Sequence, residues 1–163
     1  MQRSIRYAVL LAALVVVGPE RALGAGSDHL SAADAPTGAI WVESLGLEKL
    51  LQRRGQPRAG RTIRDAPIAL ASRIYPHGIG TRSISEFVID VHGEALRFES
   101  MVGLDDAVKG GVGSVTFEVW ADDRLVAASG RLRAGDAPRF LSADLRDAHV
   151  LTLLIDDGRY EQR

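Results

Sequence analysis

The 163-residue chain contains no cysteine. That excludes a disulfide scaffold and any thiolate metal site, so the domain it forms must be held by its core. Charge of one sign is not in excess either: 20 basic residues stand against 21 acidic ones, for a net charge of -1, and the two signs are interspersed. There is no electrostatic footprint for nucleic acid or for an anionic lipid surface. Lysine is nearly absent, Lys49 and Lys109 being the two in the chain, which we read as base composition rather than chemistry. Long apolar runs are missing as well. The longest, Ala8 to Val17, falls short of the roughly 20 residues that cross a bilayer as a helix.

That run nevertheless has a recognisable context. Arg3 and Arg6 precede it with no acidic residue between, Gly18 and Pro19 follow it, and Ala22, Leu23, Gly24 and Ala25 supply small residues beyond. Positive start, short apolar stretch and small-residue exit form the pattern of a bacterial-type export signal. The expectation is a signal peptide over 1–25, cut after Gly24 or Ala25, and a secreted, periplasmic or cell-envelope location with no membrane span after cleavage. Residues 26–38, rich in Ala, Gly, Ser, Asp and Pro, carry too little apolar surface to order themselves and are expected to be a flexible leader. The remainder, 39–163, suits one domain with one core.

Within 39–163 the patterning has period two. Ile40 to Val42 begins it; Leu45 to Gln52 is loosely helical but limited by Gly46 and Gly55 to a turn or two; and Arg53 to Arg64 has the composition of a surface connection. Strands are expected at Ile68 running on to Tyr75, Phe87 to His92, Leu96 to Gly103, Val115 to Trp120, Leu125 to Ala128, Arg139 to Asp144 and Val150 to Ile155. Asp122-Asp123 and Arg146 to Ala148 supply turns between them. Short strands at this spacing with no long amphipathic helix predict an all-β fold, a two-sheet antiparallel β-sandwich.

Catalytic motifs do not emerge. His29, His77, His92 and His149 form no HExxH pair, there is no GxSxG elbow or P-loop, and Gly78-Ile79-Gly80 lacks both a third glycine and a following helix. The loop from Val102 to Ser114 is the most informative segment. It opens with Asp105-Asp106 and closes with Gly110, Gly111 and Gly113. It is either a wide structured turn, or a place where Asp105 or Asp106 orients a sugar hydroxyl or ligates a structural calcium. Trp120 falls out of register with Phe117 and Val119 and so faces the other side of its sheet, either packed there or serving as a ligand platform.

Taken together, Gly60-Arg-Thr62, Tyr75-Pro-His-Gly-Ile-Gly-Thr81, Phe98 through Val102-Gly-Leu-Asp-Asp106, and Gly113-Ser-Val-Thr-Phe-Glu-Val-Trp-Ala-Asp122 resemble the NPCBM family of carbohydrate-binding modules. The resemblance covers about Ile40 to the C-terminus. It implies a galactose-binding-like jelly roll, no catalytic activity of its own, galactose-containing glycans as partners, and association with glycoside hydrolases such as α-galactosidases. Carried over position by position, it offers His77, Thr81, Asp105 and Asp106 as sugar-binding residues. Arg82 stands where the family motif has a histidine, and can still donate to a hydroxyl. Trp120 completes the set. The chain further departs from the family at Arg53-Arg54, where an aromatic between glycines is usual. It also ends at Asp156-Asp-Gly-Arg-Tyr-Glu-Gln-Arg163, without the Asp-His-Ala-Asp-Trp-like strand that relatives carry. A sandwich short of that strand is expected to leave a neighbour unpaired. Two alternatives follow: the chain is the front end of a secreted glycoside hydrolase, or an envelope protein-interaction sandwich without a sugar site.

Overall fold

The computed structural model describes residues 8–17, 38–108 and 113–157. In chain order the strands are β1 (Ala8–Val17), β2 (Ala39–Trp41), β3 (Leu50–Gln52), β4 (Arg58–Ala59), β5 (Ile68–Leu70), β6 (Arg73–Tyr75), β7 (Gly78–Thr81), β8 (Ser85–Asp90), β9 (Ala95–Gly103), β10 (Ser114–Ala121), β11 (Arg124–Ala128), β12 (Leu132–Arg133), β13 (Arg139–Asp144) and β14 (Val150–Asp156). The helical pieces among the described residues are single 3-10 turns, and no helix there is long and apolar enough to cross a membrane.

Two sheets face each other. The first runs β13-β9-β1-β7-β4, with β2 also on β1; the second runs β11-β10-β14-β8-β3, with β12 on β10. The ladders are antiparallel. The inward residues that alternation in the sequence predicts do form the core: Phe87, Ile89, Phe117, Val119, Leu151 and Leu153 from the second sheet meet Ile79, Phe98, Val102, Leu141 and Ala143 from the first. Phe87, Phe98 and Phe117 are essentially buried, and burying each contributes roughly 2–3 kcal/mol. The all-β antiparallel sandwich is the architecture the patterning called for.

Four local features differ from expectation. Leu45 to Gln52 has the single turn its glycines allow, Leu47–Lys49, but ends in a strand that its loosely helical spacing does not mark. Gly46 at φ 86° redirects the chain, and Leu50–Gln52 then pairs with Ser85–Phe87 as β3. Ile68 to Tyr75 is a hairpin rather than one strand, because Ala71 and Ser72 both take positive φ (48° and 68°). No glycine marks that turn. Gly78–Thr81, which has the look of a loop, is the fully buried strand β7. Its Gly80 accommodates the chain crossing over it: a Cβ there would lie 2.1 Å from the Arg61 carbonyl oxygen.

The fourth difference concerns Ala8 to Val17. The run anticipated as the core of an export signal, and left outside the domain, is the central strand β1. A short apolar run can be a strand or a signal segment, and periodicity alone does not separate the two.

Candidate functional site

The site is best built from β7, because the motif residues sit at its two ends. Pro76 and Gly78, the latter at φ 142°, bracket His77 just before the strand. On the neighbouring β2 the chain leaves the sheet at Trp41, whose carbonyl accepts from Ser44 Oγ at 2.6 Å. The 3-10 turn Val42–Ser44 then carries Glu43 back toward β7. Glu43 Oε1 lies 3.0 Å from His77 Nδ1, while its Oε2 accepts from the Gly78 amide. The His77 ring stacks on the Trp41 indole, centroids 4.3 Å apart and planes 5° from parallel.

This arrangement fixes an imidazole on one face and one edge. Its side chain is 23% exposed, against 11% for Glu43, and that exposed part is what a ligand can reach. Burial pushes the Glu43 carboxyl above its ordinary range, and the bonds from His77 and Gly78 pull the other way. Trp41 Nε1 is buried without a hydrogen-bond partner, so the indole serves through its ring face.

The other end of β7 carries Thr81 and Arg82. Thr81, almost fully buried, donates from Oγ1 to Gln52 Oε1 at 2.6 Å, and the same oxygen accepts from the Arg82 amide at 3.4 Å. Gln52 Nε2 donates to the Arg54 carbonyl at 3.1 Å. A Cβ on Gly55 would stand 3.9 Å from Arg82 Nε. The segment Arg53-Arg54-Gly55 and Arg82, two of the places where the sequence departs from the family pattern, are therefore neighbours.

Asp105 and Asp106 lie at this same end. Val9 of β1 pairs with Gly80 on one side and Gly103 on the other, so Thr81–Arg82 and Leu104–Asp106 leave the sheet together, about two strand spacings or roughly 10 Å apart. Both carboxylates are engaged with main chain. Asp105 accepts from the Ala69 and Ala107 amides, each at 2.9 Å, and Asp106 accepts from Ser72 at 2.7 Å. They fasten the β5–β6 hairpin, whose Leu70 packs where a Cβ on Gly103 would intrude. These bonds give Asp105 and Asp106 a place in the turn at the start of this loop, and among the described residues no group of three or more His, Asp or Glu side chains stands together as a metal site.

Thr81, Arg82, Asp105 and Asp106 thus share one end of the first sheet, whereas His77 stands a strand length away, roughly 13 Å. Trp120 is elsewhere. It lies half-buried on the outer face of the second sheet, its Nε1 donating to Glu118 Oε2 at 2.9 Å, in one row with exposed Leu125 and Val88. Sequence reasoning missed Glu43 and Gln52. Their partners are 34 and 29 residues away, and only the topology brings them together.

Solved structures of similar fold define the class. The CBM51 module from Clostridium perfringens GH95, solved in complex with methyl-galactose, matches with TM-score 0.68 at 25% identity, covering 75% of this chain and 89% of that one. The CBM51-2 and INT domains of Clostridium perfringens ZmpB match with TM-score 0.67 at 27% identity, and so does the same pair with GlcNAc bound to CBM51-2. There the match covers 72% of this chain and 27% of that one, so the chain spans about a quarter of their length. A ZmpB structure with the M60 catalytic domain, CBM51-1 and CBM51-2 matches with TM-score 0.68 at 27% identity, over 74% of this chain and 13% of that one. Among curated proteins none matches. The fold is that of the galactose-binding-like β-sandwich modules. More particularly, the model of the NPCBM/NEW2 domain matches residues 38–163, and the chain belongs to that family.

Proposed function

We propose that the chain is a non-catalytic carbohydrate-binding module of an exported protein, directed to galactose-containing glycans and working beside a catalytic domain of the glycoside hydrolase kind. The observation that carries this reading is the match to the CBM51 module of GH95 with methyl-galactose, most of which is covered by this chain. Export is supported by Arg3, Arg6, the apolar run and the small residues to Ala25. The family likeness extends to a structure containing an M60 catalytic domain, so the neighbouring enzyme is open to more than one class.

The geometry supports a weak, hydroxyl-directed site. His77, oriented by Trp41 and Glu43, offers a fixed polar edge of the kind that sets orientation in small-ligand sites. Titration calorimetry of the folded protein with methyl-galactoside, with GlcNAc and glucose as comparisons, tests the reading. Saturable binding led by the galactoside supports it; no binding to any of the three by well-folded protein rejects it.

A second reading is favoured by one observation: Leu125 and Trp120 are cross-strand neighbours on the outer face of the second sheet, with Val88 beyond Thr152 in the same row, while His77 does not converge with Asp105 and Asp106. In that reading the face packs against a neighbouring domain of a longer chain. Galactoside titration separates the two, because a sandwich that only packs against a neighbouring domain binds no sugar; Trp120→Ser leaves galactoside affinity unchanged if the sugar sits at His77 and weakens it if Trp120 is a sugar platform.

A further inference from the structure

The near-zero net charge of the chain conceals a local excess. From Arg53 to Arg64 stand five arginines and no acidic residue, and the fold brings Arg82 to the start of this segment. Strand β3 ends at Gln52, opposite Ser85 at the head of β8, and the Arg53 amide still donates to the Ile84 carbonyl at 3.4 Å. The chain then passes Arg54 and Gly55, the latter at φ 77°, and crosses to the first sheet as β4, where Arg58 lies opposite Gly80 of β7. Arg82 leaves β7 beside that crossing, its Nε 3.9 Å from where a Cβ on Gly55 would stand. Half-buried Gln52 holds the two segments together. Its Oε1 accepts from Thr81 Oγ1 and from the Arg82 amide, and its Nε2 donates to the Arg54 carbonyl.

The nearby acids are committed elsewhere. Asp65 serves Arg58 at 3.1 Å and Arg61 at 3.7 Å, and Asp105 and Asp106 accept from main-chain amides. Glu86 lies on β8 one step along the ladder from Arg53, yet among the described residues neither Arg53 nor Arg54 forms an ion pair. Both are exposed. Like charges gathered in this way repel one another and raise the local concentration of anions.

We propose that the end of the sandwich carrying Arg53, Arg54 and Arg82 is a subsite for the anionic group of an acidic sugar, a carboxylate or a sulfate. Guanidinium forks meet the paired oxygens of such groups with parallel charge-assisted N–H bonds. His77 lies at the other end of β7, so the neutral ring and the acidic group are recognised at separate places. That the ligand is an anion rests on the arginines; that a sugar carries it rests on the carbohydrate-binding function proposed above.

Calorimetry of the full chain with tetragalacturonate and with a sulfated galactan tetrasaccharide, each beside its neutral counterpart (the methyl ester and the desulfated sugar), tests this. At least one acidic form is expected to bind about tenfold tighter than its neutral counterpart, with the difference shrinking as salt is raised. The double variant Arg53→Gln, Arg54→Gln is expected to abolish the difference while melting as wild type does, both side chains being exposed. Arg124→Gln removes a like charge at the opposite end of the second sheet and is expected to leave the difference intact. Equal binding of acidic and neutral forms overturns the acidic subsite and leaves carbohydrate binding standing; no binding of any of these sugars or of methyl-galactoside overturns both. The subsite is also overturned by an acidic preference that survives the double variant or falls equally in Arg124→Gln, and by oligothymidylate binding as tightly as the acidic sugars, which marks a general polyanion surface.

Discussion

The imidazole of His77 lies flat against the indole of Trp41, 4.3 Å between centroids, while Glu43 holds its Nδ1 edge at 3.0 Å. One ring is thereby fixed by contacts from two directions, and the substitutions that loosen it should differ in kind. His77→Ala is expected to weaken galactoside binding at least tenfold in calorimetry and also to lower thermal stability, since the ring covers Trp41 and partners a mostly buried Glu43 carboxyl. Unchanged affinity would remove His77 from the site.

Trp41 is mostly buried, so Trp41→Ala should cost about 3–5 kcal/mol in urea denaturation. Trp41→Phe keeps an aromatic face under His77 and discards an indole N–H that has no partner. It is expected to cost far less, about 1 kcal/mol.

Burial raises the Glu43 carboxyl above 4.5, which fixes the sign of its pH effect. The folded protein holds this proton more tightly than the unfolded chain, so its contribution is full below about 4.5 and is lost as pH rises through the folded value. The stability difference between wild type and Glu43→Gln should therefore fall across that window and be flat on either side. Carboxyl carbon NMR should place the Glu43 midpoint above the ordinary glutamate range. A midpoint at or below that range contradicts the expectation.

Asp105→Ala strands the Ala69 and Ala107 amides, which donate to its oxygens. Leaving such donors unpaired should cost about 2 kcal/mol, with faster hydrogen exchange in the β5–β6 hairpin. Because these bonds are structural, sugar binding by the residual folded protein should be unaffected.

Asp144 is exposed and held down to about 2 by the Arg146 side chain and amide. Arg146→Ala should return its NMR titration most of the way to the ordinary aspartate range, the amide bond accounting for what remains.

The strands whose residues alternate in burial were legible in the sequence. In Ser85–Asp90, Ser114–Ala121 and Val150–Asp156 every second side chain enters the core. What escaped lacks that signature. Gly78–Thr81 is buried on both sides, so no alternation marks it, and its glycines suggest a loop. The turn at Ala71-Ser72 has no glycine or asparagine because Asp106, far along the chain, secures it. At the site, Thr81 and Asp105 were picked out by the motif, but each binds the protein itself. Glu43 and Gln52, which organise His77 and Arg82, give no local signal, since contact across the sheet defines their role.

The position of β14 has a mechanical consequence. It lies between β10 and β8, with a ladder from Thr116↔Asp156 to Ala121↔Leu151 on one edge and from Val150↔Asp90 to Ile155↔Ser85 on the other. At its start the Asp122 carboxylate also accepts from the His149 and Val150 amides at 3.0 and 2.9 Å. Tension on the chain beyond Asp156 would pull along the strand and load both ladders in shear, all bonds at once, rather than peel them open one at a time. A module tethered through that end would resist pulling with two ladders at once rather than one.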